Sequence, residues 1–294
     1  MKPIYLIILL FLNFCWAGVY SAYKVVGLPT GAIVTLRFGM AAPFLLFIWP
    51  WLRGPAPRGW DLVKTCALGL LVFPLGQRLQ IYGAQLGTAG NSSVLMAVEP
   101  LLTSVAAAIF LREHIGPRRI IGFALGMLGV LLLNQVWRSD FKLAGLTASL
   151  IFISSFFCEA AYSIVGKPII QQANPVKMLT ISLVTGTVAN LLIDGRQTIA
   201  EARTIPLNGW VLLLAMALVC TAFGYSFWFV VIRECPVNVA ALTIFAQAAF
   251  GVMIAVLWLR EPLHWGQVWG SVAIVAGLGV GLSRQVITKA RVEH

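Results

Sequence analysis

The sequence predicts an all-α polytopic membrane protein, with ten transmembrane helices arranged as two inverted five-helix repeats. Three observations lead there. Apolar residues fill 60% of the 294 positions and charged residues only 11%, too little charge to cover a soluble domain of this length. Runs of about 20 mostly apolar residues, the length that crosses a hydrocarbon core of roughly 30 Å, recur along the whole chain. The two halves also repeat one another at a nearly fixed offset.

The apolar runs lie near residues 4–23, 30–50, 64–84, 91–111, 119–137, 143–165, 176–193, 209–230, 238–259 and 266–283. Each must be a helix, because an open strand would leave backbone polar groups unsatisfied in hydrocarbon. Pro50 and Gly54-Pro55-Ala56-Pro57 end the second run, and Pro117, Pro175, Pro206 and Pro236 fall in connections or just inside helix starts, where proline is tolerated. Lys2 and the apolar stretch Ile4 to Phe14 resemble a signal peptide. No small-x-small cleavage site follows and the repeat runs through the segment, so it counts as the first span.

Positive charge sets the orientation. With the N-terminus inside, the inner segments hold 13 Lys and Arg residues, from Lys2 through Arg53, Arg112 and Lys167 to Arg291, and the outer segments hold six, from Lys24 to Arg260. Both termini are therefore expected to be cytoplasmic, in a bacterial-type inner membrane, with lipid as the surrounding partner. The net charge of +11 sits in short loops and at the ends rather than in a basic stripe, so nucleic-acid binding is not expected. Five cysteines, an odd number with no close-spaced pair, predict neither a disulfide framework nor a zinc site. His114, His264 and His294 lie in loops or at the terminus, without metal-binding spacing, and the sequence has no phosphate loop or nucleophile elbow. No metal, cofactor or enzyme activity is expected.

Phe110-Leu111-Arg112-Glu113 recurs as Trp258-Leu259-Arg260-Glu261, and the same offset of 148 pairs Gly76 with Gly224, Gly122 with Gly270 and Gly129 with Gly277. Near the start of each half, Cys15-Trp16-Ala17 with Lys24 matches Cys158-Glu159-Ala160 with Lys167 at an offset of 143. The repeats span residues 1–138 and 139–294. Five spans per repeat is an odd number, so the second copy enters the membrane from the opposite side. That architecture recurs in secondary transporters, whose substrate site lies near the midplane between the repeats. A duplication retained for packing alone is the alternative.

The paired Leu-Arg-Glu closing the fourth and ninth spans, each followed by a glycine-bearing helix, resembles the drug/metabolite transporter superfamily and within it the ten-span EamA-type family. Trp16-Ala17 with Lys24 in the first span, and Pro29 and Arg37 in the second, are similar to that family's opening. The resemblance covers essentially the whole chain. It implies a basket of ten helices around a central cavity lined by the first four spans of each half, with the fifth and tenth as scaffolding. It also implies export of metabolites such as amino acids. Glu159 departs from the pattern, placing a charge where the repeat has Trp16.

Charges deep in a membrane are costly and default to functional candidates. Arg37, Arg78, Glu99 and Glu159 qualify, and could grip the two ends of a zwitterion or form structural ion pairs. Glu99 and Glu159 are also candidates for proton coupling. Trp16 and Tyr20 share a stripe of the first helix with Asn13 and Lys24, while Tyr82 shares a face with Arg78 and Gln85. Glu99 lies on a face with Ser92 and Thr103, and Tyr225 and Trp228 follow Thr221. Together these faces suit a cavity for a small amphipathic solute; singly, each also suits helix-to-helix packing. The small-residue pairs Gly122/Gly126 and Gly266/Gly270 point to close packing inside the molecule. A membrane structural or sensor protein and an intramembrane lipid-acting enzyme are the competing readings. The substrate, the coupling ion and the oligomeric state are not encoded visibly.

Overall fold

The structure, a computed structural model, describes residues 2–86, 95–138, 146–258 and 264–290. Among these residues every regular element is helical, and seven helices are long and apolar enough to cross a membrane. The second Leu-Arg-Glu copy, Ser92 and the side chains of Tyr20 and Lys24 lie outside the described residues.

In chain order the helices are α1 (Pro3–Val26), α2 (Thr30–Ile48), α3 (Trp60–Leu86), α4 (Val98–Phe110), α5 (Pro117–Leu133), α6 (Leu146–Gln172), α7 (Pro175–Ala202), α8 (Leu207–Glu234), α9 (Val237–Ile254, its last turn reaching Trp258) and α10 (Trp265–Ala290). Proline opens α1, α5 and α7, where its missing N–H has no helical partner to lose. Asn174 caps α7 by accepting from the Val176 and Lys177 amides at 2.9 and 3.1 Å. Its side chain also ties α7 to the loop after α2 by donating to the Arg53 carbonyl.

One expectation is corrected. The seventh span, read as ending at 193, runs to Ala202, so Asp194 lies inside the helix. The polar Asp194-Gly195-Arg196-Gln197 stretch looks like a loop by hydropathy, but tertiary partners keep it helical. Helices α3 and α8 are not regular α-helix throughout. Helix α3 carries a π-helical segment at Leu71–Gly76 and α8 another at Met216–Phe223. Single π turns of this kind are rare and favour functional sites.

The bundle core joins α2, α3, α6, α7 and α8. Its axis is a chain of rings: Phe38 to Phe73 at 4.8 Å, Phe73 to Tyr162 at 5.7 Å and Tyr162 to Phe229 at 4.9 Å between centroids, in the tilted and edge-on arrangements aromatics prefer. A second cluster packs α5, α9 and α10 around Phe123, Phe245 and Ile274. There α5 and α10 run antiparallel with glycines facing backbone. A Cβ on Gly122 would sit 2.9 Å from the Gly277 carbonyl oxygen, and one on Gly129 2.7 Å from that of Gly270. The glycine pairs thus serve packing within the chain. The outer surface is strongly apolar, with Leu192 83% and Leu207 80% exposed, a surface suited to lipid rather than water.

Candidate functional site

Where α1, α2, α3, α4, α6, α8 and α9 meet, a cavity of about 90 Å³ opens, several times the roughly 10–15 Å³ that one water needs. The eight-helix lining implied by the family resemblance is corrected in one respect. Helix α7 contributes no lining residue among those described; it is engaged instead against α2 and α3. Helices α5 and α10 also stand outside the lining.

The π segment of α8 lies behind the cavity and holds two of its lining residues, Trp16 and Arg37. A π turn disturbs the helical hydrogen-bond ladder, and side chains take up carbonyls here. Thr221 Oγ1 donates to the Met216 carbonyl at 3.2 Å, and Trp16 Nε1 donates to that of Cys220 at 2.9 Å. Thr221 Oγ1 in turn accepts from Arg37 Nε at 2.8 Å. Arg37 Nη1 donates to the Tyr23 hydroxyl, and the guanidinium carbon lies 5.2 Å from the centre of the Phe38 ring. Arg37 is only 4% exposed, yet its hydrogen-bond partners are neutral. No carboxylate among the described residues comes within 4 Å of it.

Glu159 projects into the cavity from α6. Its Oε1 accepts from Gln77 Nε2 at 2.7 Å and from the Tyr225 hydroxyl at 3.2 Å. Glu99, near the start of α4, also lines the cavity; no hydrogen bond or ion pair holds it among the described residues. Trp16 closes an aromatic side, its ring 6.1 Å from both Tyr225 and Trp228. Trp228 Nε1 donates to Ser163 Oγ at 3.1 Å. The cavity therefore presents one cation, two carboxylates and an aromatic wall. That set can hold an ammonium and a carboxylate of one solute while a flat or apolar portion rests on the rings.

Of the residues singled out from sequence, Trp16, Arg37, Glu99, Glu159, Tyr225 and Trp228 line the cavity. Arg78 and Tyr82 do not. Arg78 Nη1 pairs with Asp194 on α7, and its Nε and Nη2 donate to Asn190 Oδ1 at 3.2 and 2.8 Å. Tyr82 is 50% exposed, on the outside of α3. Sequence reading missed Tyr23, Gln77, Tyr162, Ser163 and Gln247, all in the lining. One signal was present: the offset of 148 that pairs Gly76 with Gly224 also pairs Gln77 with Tyr225, which touch at 3.4 Å.

The Arg78–Asp194 pair is structural, and its disruption is a stability prediction. Asp194→Asn leaves a half-buried guanidinium without its counter-charge and is expected to cost about 2–3 kcal/mol. Removing both charges with Arg78→Met and Asp194→Leu is expected to recover most of that. Melting temperatures in detergent check it; equal losses in the single and double variants would refute the pairing.

The profile of the EamA-like transporter family matches residues 3–135 and 146–282. The chain belongs to that family. Among its relatives, the uncharacterized transporter YyaM of Bacillus subtilis is 25% identical over 94% of this chain and 92% of its own length. A probable amino-acid metabolite efflux pump of Salmonella typhimurium is 25% identical over 66% of this chain and 67% of its own. A riboflavin transporter of Vibrio cholerae is 24% identical over 57% and 55%. A solved crystal structure superposes with a TM-score of 0.79 over 96% of this chain and 99% of that chain at 13% identity, a likeness that speaks to the fold alone. This EamA-like chain is thus a multi-pass membrane protein whose relatives carry small molecules.

Proposed function

We propose that the protein is a secondary transporter exporting amino acids or related small metabolites across a bacterial-type inner membrane by alternating access, with both termini cytoplasmic. The observation that carries the reading is the cavity itself. Arg37 lacks a carboxylate partner, Glu99 lacks any polar partner among the described residues, and both face one space beside an aromatic wall. Buried, unneutralised charges of both signs are poor packing elements and good receptors for a zwitterion. The name of the Salmonella relative points the same way. A lipid-acting enzyme would place its reacting groups near the interface, whereas Glu99 and Glu159 lie within the helical bundle.

The ten helices are proposed to be ten spans in two inverted repeats, residues 1–138 and 139–294, and the contacts support this. Under the offsets of 143 and 148, Trp16 maps to Glu159 and Tyr225 is the partner of Gln77. The contact of Trp16 with Tyr225 then becomes that of Glu159 with Gln77, and both exist. Likewise the Gly122–Gly277 approach maps onto Gly270–Gly129. The two π segments fall at matching places in α3 and α8. Such exchange of partners is what a pseudo-twofold axis in the membrane plane produces.

Glu99 is proposed as the group that couples export to a proton, with Glu159 as the second candidate. Cells overproducing the wild type are expected to export one class from a panel of radiolabelled amino acids and related metabolites. Glu99→Gln is expected to abolish the dependence of that export on a pH gradient. No export of any compound above that of cells lacking the protein would count against the transport reading; an unchanged pH response in Glu99→Gln would remove Glu99 from coupling alone.

A further inference from the structure

The Leu111-Arg112-Glu113 turn takes no part in the cavity, yet it ties together four helices that line it. Helix α4 ends at Phe110, and Arg112 follows in the left-handed region at φ 54°, a conformation a residue with a side chain adopts only under constraint. The reversal returns the Glu113 amide to the Ala107 carbonyl at 3.2 Å and sends its carboxylate across to the second half of the chain. Oε1 accepts from the Val237 amide at 2.7 Å and from Lys167 Nζ at 2.8 Å, and Oε2 accepts from the Asn238 amide at 3.0 Å. Lys167 Nζ also donates to the Cys235 carbonyl at 2.9 Å. The Glu113 and Lys167 side chains are only 10% and 17% exposed. One ion pair therefore fastens the end of α4, the body of α6, the end of α8 and the start of α9.

The position of this cluster gives it a role. Lys167 lies one turn beyond the cavity residue Ser163 on α6, and Val237 two turns before Ile244 on α9. At 1.5 Å per residue the cluster sits roughly 6–10 Å below the cavity floor. The end it closes is the one where α1 begins and Lys2 pairs with Glu234, cytoplasmic in the orientation proposed above. The carboxylate is satisfied by two amides at a helix start and one ammonium. Opening the bundle there must break all three.

We propose that Glu113 and Lys167 form a clasp between the two halves that closes the cavity from the cytoplasmic side and must release for solute to enter. The inference rests on the transport reading but is tested without a solute. In a cysteine-free background carrying Ser163→Cys, a membrane-impermeant maleimide is applied to inside-out vesicles. Glu113→Gln and Lys167→Met are each expected to raise the labelling rate roughly tenfold, which a bias of about 1.4 kcal/mol on a two-state equilibrium produces. In right-side-out vesicles the rate is expected to stay level or fall. Lys167→Met leaves the α9 cap in place and serves where Glu113→Gln does not fold. Cytoplasmic labelling unchanged within about twofold in both variants, or loss of folding in both, would overturn the clasp. Failure of the transport reading shows elsewhere: no solute moves in the wild type while labelling still answers to the clasp.

Discussion

Replacing Arg37 with glutamine is expected to reduce export roughly a hundredfold or more while the protein stays folded. The guanidinium is buried, held by Thr221 and Tyr23 hydroxyls and set over Phe38. None of these neutralises it, and Nη2 has no protein partner among the described residues. A solute carboxylate would accept charge-assisted bonds from it, each contributing about 1.5–3 kcal/mol, and 1.4 kcal/mol is a factor of ten. Losing about 3 kcal/mol of solute binding gives the hundredfold. Stability separates this role from a structural one. Because no carboxylate contacts Arg37 directly among the described residues, its removal relieves a desolvation cost as it breaks two hydrogen bonds, so the melting temperature is expected to move by less than about 4 °C. Arg37→Lys keeps the charge without the planar fork and is expected to be intermediate. Wild-type export in a folded Arg37→Gln protein would exclude the residue from the site. So would a fall in export matched by an equal fall in stability.

The contrast with Arg78 shows what the sequence could and could not reveal. Hydropathy made both arginines conspicuous, and nothing in their local patterns distinguished them. The difference lies in Asp194, which supplies Arg78 with a partner from another helix. Asp194 was invisible as a partner because the polar stretch around it reads as a loop. Membrane character and the helix positions were legible because they follow from composition and periodicity, which are properties of single segments. Glu99, Glu159, Trp16, Tyr225 and Trp228 stood out because charge and large rings are rare inside apolar helices. Gln77 and Tyr162 did not, since one amide or phenol in a helix is unremarkable until the other wall of the cavity is known. The π segments were not legible at all. They are local distortions sustained by partners far away in sequence, such as Trp16 on the Cys220 carbonyl. The Leu-Arg-Glu motif was legible as a marker and only the structure gives it contacts.

Gly69→Val is expected to prevent folding, the largest stability effect in the chain. Helix α3 crosses α7 at this position with no room between backbones: a Cβ on Gly69 would lie 2.2 Å from the Ser182 carbonyl oxygen and 2.8 Å from both its carbonyl carbon and its Cα. These are main-chain atoms in the middle of a long helix, so no side-chain rotation relieves the overlap and one helix must shift as a body. Both faces are pinned. Ser182 Oγ meets the Tyr162 hydroxyl, and Phe73, one turn along α3, packs between Phe38 and Tyr162 in the core. A Cβ on Gly186, one turn along α7, would already touch Phe73 Cβ at 2.6 Å, so the shift cannot be taken up nearby. Overpacking costs about 1–3 kcal/mol where side chains can yield, and more where they cannot. Here it is set against a native stability of about 5–15 kcal/mol. Gly69→Val is therefore expected to give no monodisperse protein in detergent, and Gly69→Ala a melting temperature at least about 8 °C lower. Gly251, whose added Cβ would meet nothing within 4 Å, supplies the control: Gly251→Ala is expected to leave the melting temperature unchanged or raise it, since alanine favours the helix by about 1 kcal/mol. A Gly69→Ala protein as stable as the wild type would mean that α3 and α7 do not pack at this distance, and with that the placement of Arg78 against Asp194 would fall too.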